Sequence, residues 1–362
     1  MATYAISDIH GALGEFQALL KKINFRYDGS DTLYLLGDYG DWGSRSMETI
    51  LFVMELQERY PFVHCLMGNH EMMFFKAIEA DYMLDEKEAG VRIEDWLTHN
   101  RGRGTWTAYR SLPRRRQDAV TAWLASLPYS AAARAGGRTY LMAHAYPYHY
   151  DMACGEDEAR RRQHDALWRR LMLRENPFAS YEGTARYDLF VCGHTITDYY
   201  FQKLRYEKRW PRRKPGEHKR NRIFRAERFI DIDCGAKCMD CGGDSQDVLQ
   251  TAAMRAQLAA LRLDDGREFY VHRPALKLPE GVALPQVRTP DWKLPEIRLP
   301  DVREQSRQLA QAVGEKSGAD LRAAQEMVQE TLADISERFS GAVNGLFPGE
   351  KKEQEDKGGG PS

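Results

Sequence analysis

Five short apolar segments of this sequence each end in side chains that bind metal ions. The residues concerned are Asp8 and His10, Asp38 and Asp41, Asn69 and His70, His144, and His194. A mixture of carboxylate, imidazole and amide oxygen ligands suits Mn, Fe or Zn. The set contains no cysteine that would enforce a closed structural zinc site. The pattern therefore indicates a divalent-metal centre whose ligands come from distant parts of the chain.

The apolar segments have the length and composition of buried strands. They span residues 3–7, 32–37, 62–68, 139–144 and 189–194. Short segments rich in Val, Ile, Leu, Tyr and Phe are typical of strands that are buried on both faces. Because loops at the carboxyl ends of parallel strands open into one crevice, such strands would bring the polar side chains together.

Helical patterns separate the predicted strands. The first pattern consists of Leu13, Phe16, Leu19, Leu20 and Ile23. Residues 46–59 repeat this spacing, and Ser44 or Ser46 is predicted to cap that helix. Alternation of strands and helices over about 200 residues predicts a layered α/β domain. Residues 228–233 and 267–273 are predicted to form strands of a second, more antiparallel sheet.

Five motifs resemble a known family in their order and spacing. They are SDIHG (7–11), GDYGDWG (37–43), GNHE (68–71), HAY (144–146) and GHT (193–195). They resemble the signatures of bacterial-type phosphoprotein phosphatases of the serine/threonine type, within the calcineurin-like metallophosphoesterases. LWRR at 167–170 and DIDCG at 231–235 are secondary matches. The resemblance covers residues 1–275 and implies a metallophosphoesterase-type layered β-sandwich flanked by helices.

The resemblance implies a two-metal phosphomonoester hydrolase. Its metal ligands would be Asp8 and His10 at the first metal, Asp38 between both metals, and Asn69, His144 and His194 at the second. Two divalent ions about 3.5–4 Å apart lower the pKa of a shared water and supply hydroxide for in-line attack on phosphorus. Mn²⁺ is the expected metal, with Fe or Zn as the alternatives.

The same resemblance implies which residues move the proton. His70 lies next to a ligand without being one, so it would act as the general acid that protonates the leaving alkoxide. Asp41 would hold the imidazole of His70 in its cationic, correctly oriented form. These two residues are therefore the predicted catalytic pair.

The grip on phosphate is where the sequence departs from the family. The usual motif has an arginine where this chain has Trp42, and an indole cannot make the bidentate pairing that a guanidinium makes with phosphate. Arg170 is the first candidate for phosphate binding, with Arg169 as its rival. Arg101 and Arg103 could restore the missing positive charge. The predicted substrate-binding residues are thus Arg170, Arg169, Trp42 and Arg103.

Serine/threonine protein phosphatase activity on a phosphoprotein is the favoured function. The alternative is hydrolysis of dinucleoside polyphosphates or other small nucleotides, because the indole of Trp42 could stack on a base. A non-catalytic scaffold ranks third, since every predicted ligand and the His70–Asp41 pair are present. A decayed enzyme would have lost at least one of them.

Composition and charge restrict the partners. The formal net charge of −1 gives the whole chain no general attraction for nucleic acid or anionic membrane. Without a secretory signal or a long apolar run, and with six cysteines read as reduced thiols, the chain is predicted to be cytoplasmic, with no membrane span. Residues 203–228 carry twelve Lys or Arg against three Glu, which indicates a solvated loop or a docking surface for an acidic partner. No pattern specifies the oligomeric state.

The composition changes after the predicted catalytic domain of residues 1–275. From 276 to 300 a proline recurs roughly every five residues, which predicts an extended linker or surface strap. Residues 301–346 return to helical periodicity and are predicted to form an amphipathic helical tail. Residues 347–362 are predicted to be a disordered terminus.

Overall fold

Two mixed sheets carry the chemistry-bearing loops of this chain. The computed structural model describes residues 1–82, 93–148, 155–179, 184, 186–207, 220–240 and 255–273. The chain divides into two units, Met1–Lys277 and Leu278–Ser362. The predicted linker, helical tail and disordered terminus (276–362) lie outside the described residues, and so does 208–219 of the basic segment.

The first sheet contains the strands that deliver the earliest polar motifs. Its strands are β1 (Ala2–Ile6), β2 (Asp31–Leu35), β3 (Val63–Cys65), β9 (Leu258–Arg262) and β10 (Glu268–Val271). Their order is β10-β9-β1-β2-β3. β1, β2 and β3 run parallel, whereas β9 and β10 are antiparallel to their neighbours. The three parallel strands confirm the first three predicted strands.

The second sheet delivers the later histidines. Its strands are β4 (Ser130–Ala135), β5 (Arg138–Ala143), β6 (Leu189–Cys192), β7 (Phe224–Arg225) and β8 (Phe229–Asp231). Their order is β4-β5-β6-β8-β7. β5, β6 and β8 run parallel, and β4 and β7 pair antiparallel at the edges. The layered α/β fold predicted from the sequence is therefore confirmed.

The predicted placement of residues 267–273 is wrong. β10 lies within this range but belongs to the first sheet, whereas β8, predicted within 228–233, does join the second. β10 folds back on β9, and the backbone next to β9 is tied to β1. Leu263 N donates to Thr3 O at 2.8 Å, and Thr3 N donates to the Asp264 carboxylate at 2.7 Å. Long-range backbone pairing, which apolar composition does not encode, decides the sheet to which a strand belongs.

Seven helices surround the sheets in the described ranges, besides a shorter helical segment at 93–98. They are α1 (Leu13–Lys22), α2 (Ser46–Arg59), α3 (Asn69–Tyr82), α4 (Arg103–Ser111), α5 (Arg114–Ser126), α6 (Glu156–Trp168) and α7 (Asp198–Tyr206). Short 3₁₀ helices span Pro177–Ala179 and Ala236–Asp240. α1 and α2 confirm both predicted helices. None of the described helices has the length and apolar character needed to cross a membrane.

The predicted serine cap of α2 is wrong. The residue at the N-cap is Arg45, whose side chain makes no capping hydrogen bond. Ser46 already lies inside the helix, so its hydroxyl donates backwards to Gly43 O at 2.7 Å. The loop before this helix is instead tied to the site, because Gly43 N donates to His10 O at 3.1 Å.

Alternating side chains of each strand build two different layers. In β1, Ala5 packs with Tyr140 and Met142 of the second sheet, whereas Tyr4 and Ile6 face the helices. In β5, Leu141 packs in a third cluster on the opposite side from Met142. Because successive residues of a strand point to opposite faces, the sheets form a sandwich with helices outside it.

The buried carboxylate of Asp31, at the start of β2, is expected to contribute to the stability of the fold. This carboxylate accepts hydrogen bonds from Ala2 N at 2.9 Å and from Arg26 N and Nε at 3.1 Å. Burial alone would raise the pKa of Asp31, but these hydrogen bonds outweigh it and hold the pKa below its usual range. The carboxylate therefore stabilises the fold above the unfolded pKa of about 3.9, and this stabilisation is lost as the pH falls through the lower folded pKa.

We expect Asp31→Asn to lower the free energy of unfolding by about 1–3 kcal/mol at pH 7, because charged hydrogen bonds are lost. Urea unfolding at neutral pH, repeated at decreasing pH, would measure this loss and its disappearance in acid. Asp28→Asn, an exposed change in the same loop, is the control and should have a smaller effect. Equal unfolding midpoints for Asp31→Asn and the unchanged chain at pH 7 would contradict the assignment.

Candidate active site

The carboxyl ends of the parallel strands meet in one crevice. Asp8 N donates to Gly37 O at 3.1 Å, which joins the loop after β1 to the loop after β2. Gly193 N donates to His144 O at 2.8 Å and joins the loops after β5 and β6. Between the sheets, His194 N lies 3.0 and 3.2 Å from the two carboxylate oxygens of Asp8. These contacts bring residues nearly two hundred positions apart together.

The loops in this crevice hold an unusual backbone conformation. Six non-glycine residues in them have left-handed φ values between 46° and 67°: Asp8, His10, Asp38, Asp41, Trp42 and His194. Such conformations cost on the order of 1–3 kcal/mol each and persist only where surrounding contacts enforce them. Their concentration in one place points to a site whose geometry is imposed by the fold.

Asp38 lies at the centre of the crevice, with its two carboxylate oxygens facing different histidines. Oδ2 lies 3.4 Å from His10 Nε2 and 3.8 Å from His70 Nε2, whereas Oδ1 lies 3.4 Å from His144 Nε2. Asn69 Oδ1 lies 2.8 Å from His144 Nε2 and 3.1 Å from His194 Nδ1. All of these side chains are buried. The arrangement is that of a carboxylate placed between two binding positions.

The donor atoms fit two divalent cations. Two triplets each have one ligand atom per residue within 4.8 Å of the others, namely His10–Asp38–His70 and Asp38–His144–His194. Asp8 Oδ1 lies 3.8 Å from His10 Nε2, so it can also face the first position. Carboxylate, imidazole and amide oxygen atoms in this density are a typical donor set for Mn, Fe or Zn.

Protonation separates His70 from the other histidines. Burial is the main cause that lowers the pKa of His10, His144 and His194, so these imidazoles are neutral and keep a lone pair for a metal. Burial also opposes charge on His70, but Asp38 and the hydrogen bond with Asp41 outweigh it and raise the pKa of His70. The hydrogen bond with Asp41 engages Nδ1 of His70 and leaves Nε2 facing Asp38, an orientation that suits a proton donor.

Asp41 is held by donors that the sequence analysis did not identify. Its Oδ2 lies 2.6 Å from His70 Nδ1 and accepts a hydrogen bond from Trp96 Nε1 at 2.6 Å. Its Oδ1 accepts from Thr105 Oγ1 at 2.5 Å. The helical segment 93–98 and α4 therefore fix the carboxylate that orients His70. No short-range pattern links these residues to Asp41, because they lie more than fifty positions away in the chain.

Glu71 fixes the loop that carries Asp38. Its Oε2 accepts hydrogen bonds from Asp38 N at 2.7 Å and from Gly68 N at 3.1 Å, and its Oε1 accepts from Tyr39 N at 2.8 Å. A Cβ atom at Gly68 would lie 2.3 Å from Asp38 Oδ1, so only glycine allows this approach. Glu71 therefore positions Asp38 through the backbone without pointing at the binding positions.

Arg170 and Arg169 occupy different environments. Arg170 NH1 donates to His194 O at 3.2 Å and to Thr195 Oγ1 at 3.1 Å, which places its guanidinium beside the second triplet. Arg169 instead pairs with Glu175 at 2.7 Å and lies 4.0 Å from the Tyr146 ring. Of the two predicted phosphate-binding arginines, the structure brings Arg170 to the crevice.

Trp42 contacts two cations. The guanidinium carbon of Arg101 lies 5.1 Å from the indole centroid, and Lys237 Nζ lies 5.3 Å from it. Arg103, the other arginine predicted near Trp42, begins α4 and is exposed. Lys237 lies two residues beyond the DIDCG segment and belongs to no motif, so no sequence pattern identifies it.

Two buried aspartates of the DIDCG segment shape the turn that carries Lys237. Asp233 N donates to Asp231 Oδ1 at 3.0 Å, and Gly235 N donates to Asp233 Oδ1 at 2.7 Å. Burial, with the charge of Asp8, raises the pKa of Asp233 to about 7. Burial also raises the pKa of Asp231 well above its usual value. These carboxyl groups order the turn through their hydrogen bonds to the backbone.

The family model described as calcineurin-like phosphoesterase matches residues 1–198, more than half of the chain. The chain belongs to this family. Calcineurin-like phosphoesterases are metallophosphoesterases with a binuclear divalent-metal centre, and the two triplets around Asp38 are consistent with one. The predicted membership of the calcineurin-like metallophosphoesterases, the fold and the hydrolase class are thereby confirmed.

Two curated relatives of this calcineurin-like phosphoesterase are named as tetraphosphatases, not as protein phosphatases. A symmetrical bis(5'-nucleosyl)-tetraphosphatase of Neisseria meningitidis is 35% identical over 31% of this chain and 38% of its own length. One of Nitrosococcus oceani is 33% identical over 44% of this chain and 49% of its own length. The chain thus spans less than half the length of these curated relatives. The serine/threonine phosphatase assignment is not confirmed by them.

Among solved structures, a protein serine/threonine phosphatase from Saccharomyces cerevisiae overlaps 77% of this chain and 82% of its own, at 12% identity and a TM-score of 0.45. A likeness at this level bears on neither substrate nor mechanism. The choice between phosphoprotein and nucleotide therefore depends on the chemistry of the site and on the curated relatives.

The role of Glu71 predicts an effect on metal binding. Glu71→Gln replaces one accepting oxygen by an NH₂ group that opposes the backbone donors, so the loop carrying Asp38 should shift. Supporting residues of this kind are worth about 10–100-fold in metal affinity, and we expect a loss in this range when Mn²⁺ is titrated calorimetrically into the metal-free protein.

Glu79→Gln on the exposed face of the same helix is the matched control and should leave metal affinity unchanged. If both variants bound Mn²⁺ as tightly as the unchanged chain, Glu71 would have no positioning role.

Proposed function

We propose that this chain is a metal-dependent phosphohydrolase that cleaves a phosphoanhydride bond in dinucleoside polyphosphates. The observation that carries the proposal is that Asp38 faces one histidine group with each oxygen, while His70, held by Asp41, faces the same centre. The names of the curated relatives support a bis(5'-nucleosyl) tetraphosphate as the substrate. Because these relatives overlap this chain only in part, the identity of the substrate is itself proposed here.

The metal ligands in this proposal are those expected from the motifs. Asp8, His10 and Asp38 would hold the first ion, and Asp38, Asn69, His144 and His194 would hold the second. Mn²⁺ remains the preferred metal, since the donors are imidazole and oxygen. When bound, the ions would polarise the phosphoryl group and activate water at neutral pH.

His70 would serve the leaving group. When the bond between phosphorus and the bridging oxygen breaks, its electron pair stays on that oxygen, and His70 Nε2 can supply a proton there. Asp41, itself held by Trp96 and Thr105, would keep the imidazole oriented and cationic. Arg170 would hold non-bridging phosphate oxygens from the side of His194.

Protein phosphatase activity is the alternative within the same chemistry. The motif order favours it, and both reactions need the same metal-activated water. They differ in the leaving group, which is a neutral alcohol side chain in one case and a charged nucleotide in the other. The substrate preference therefore separates the two functions directly.

A substrate panel tests the proposal. With Mn²⁺ present, we expect nucleotide release from a bis(5'-nucleosyl) tetraphosphate with a kcat/KM at least about tenfold above that for phosphoserine or phosphothreonine peptides, a difference of about 1.4 kcal/mol in transition-state stabilisation. Activity should disappear in His144→Ala and on metal chelation. A preference for phosphopeptides would overturn the nucleotide proposal. Bound metal without activity on any substrate would favour the scaffold.

The acid role of His70 predicts a dependence on the leaving group. His70→Asn should reduce kcat by about 10²–10⁴-fold for an alkyl phosphate, whose alkoxide needs a proton to depart. The loss should be clearly smaller for a phosphoanhydride or an aryl phosphate, because these leaving groups are stable as anions. Steady-state kinetics on the three substrates would measure this. His99→Asn, at an exposed position, is the control. An equal loss on all three substrates would contradict the acid assignment.

A further inference from the structure

Trp42, Arg101 and Lys237 form a cationic cluster, which we call the Trp42 shelf. Arg101 comes from the loop before α4, and Lys237 comes from the 3₁₀ helix after β8, so two distant parts of the chain bring positive charge to one indole ring. Arg101 and Trp42 both have left-handed φ values, of 55° and 61°. The fold therefore imposes strained backbone at two of the three positions to build this cluster.

The Trp42 shelf lies directly beside the candidate metal centre. Gly43 N donates to His10 O at 3.1 Å, and a Cβ atom at Gly43 would lie 2.4 Å from that oxygen, so the Trp42 loop packs on the backbone of His10. His10 belongs to the first triplet, so the Trp42 shelf adjoins that binding position through the backbone.

The position of the Trp42 shelf relative to the candidate metal centre follows from the contacts of Asp41 and His70. Trp42 follows Asp41 in the chain, and Asp41 is the partner of His70, the group that serves the leaving oxygen. Arg101 lies between the helical segment containing Trp96 and the helix containing Thr105, the two residues that hold Asp41. Arg170 lies beside the second triplet, where it is bonded to His194 O. The Trp42 shelf therefore lies next to the Asp41–His70 pair, which serves the leaving group.

Electrostatics decides what this cluster can bind. An indole face attracts each cation by about 0.5–1 kcal/mol at exposed sites and leaves its positive charge in place. Arg101 is exposed, so an anion can reach its guanidinium, and an anion with several charges gains charge-assisted hydrogen bonds from such a pair of cations. The neutral alcohol released from a phosphoserine offers no such partner, whereas the phosphates of a departing nucleotide do.

We propose that the Trp42 shelf binds the phosphate groups on the leaving side of the scissile bond and thereby selects polyphosphate substrates over phosphomonoesters. This inference rests on the proposed function and names the residues behind its substrate preference. Arg170 holds the phosphoryl group that is transferred, and Lys237 and Arg101 hold the group that departs.

The test compares the metal-loaded full chain with Lys237→Gln, Arg101→Gln and the double variant. Each single change removes a charged contact, so we expect a rise in KM of about tenfold for a bis(5'-nucleosyl) tetraphosphate, and more for the double variant. KM for para-nitrophenyl phosphate, which has no phosphate on its leaving side, should not change. Lys76→Gln and Arg134→Gln, at exposed positions on α3 and β4, are the matched controls.

A second measurement keeps this inference separate from the proposed function. Inorganic tripolyphosphate should inhibit para-nitrophenyl phosphate hydrolysis competitively, and calorimetry should detect its binding. Both affinities should fall about tenfold in each single variant and stay unchanged in the controls. If the unchanged chain cleaves no dinucleoside polyphosphate, the proposed function fails, yet weaker tripolyphosphate binding in the variants would still support the shelf.

Two results would overturn the Trp42 shelf as a leaving-side site. Equal tripolyphosphate affinity in the variants and the unchanged chain would show that Lys237 and Arg101 do not contact the anion. An equal rise in KM for para-nitrophenyl phosphate and for the tetraphosphate would place these cations on the transferred phosphoryl group instead. Thermal melting of each variant would verify that the fold is retained.

Discussion

The buried carboxylate of Asp38 sits between two groups of histidines, and the loops of both sheets are arranged around it. Burial raises its pKa well above the usual value, because an ionised carboxylate away from water loses hydration worth several kcal/mol. Divalent cations on either side would restore the lost stabilisation. Since each oxygen faces a different histidine, one residue couples the two binding positions. Strands of both sheets must therefore end at a single point.

The strained backbone and the long-range hydrogen bonds of the site both follow from the convergence of its loops on Asp38. The left-handed conformations of Asp8, Asp38 and His194 are unfavourable in isolation, and each is held by a partner from elsewhere in the chain. Glu71 fixes the backbone of Asp38, and the Asp8 carboxylate accepts the backbone N–H of His194. No loop can relax without breaking a contact to another. The sandwich between the sheets thus keeps the site in one geometry before any ligand binds.

The sequence predicted what is local and missed what is long-range. Apolar segments that end in metal-binding side chains identify β1, β2, β3, β5 and β6, because burial on both faces leaves a strong signal. The alanine-rich β4 and β9 were not predicted, and pairing with β5 and with β1 decides where they lie. β10 was predicted as a strand, but its pairing with β9 places it in the first sheet. At the site, the motifs predict the residues around Asp38. Trp96, Thr105 and Lys237 act across the fold, so no motif contains them.

The contrast between local motifs and long-range contacts also explains why the reaction and the substrate are inferred from different parts of the chain. The motifs surround the candidate metal centre and place the chain among the metallophosphoesterases, so they indicate the hydrolase class. A substrate is distinguished by what departs, and in this chain the leaving side is formed by Trp42 with Arg101 and Lys237 from outside the motifs. An arginine at position 42 would place its charge in the motif itself. With tryptophan there, the positive charge beside it comes from two side chains outside the motif, and preference for a charged leaving group can arise without any change in the metal centre.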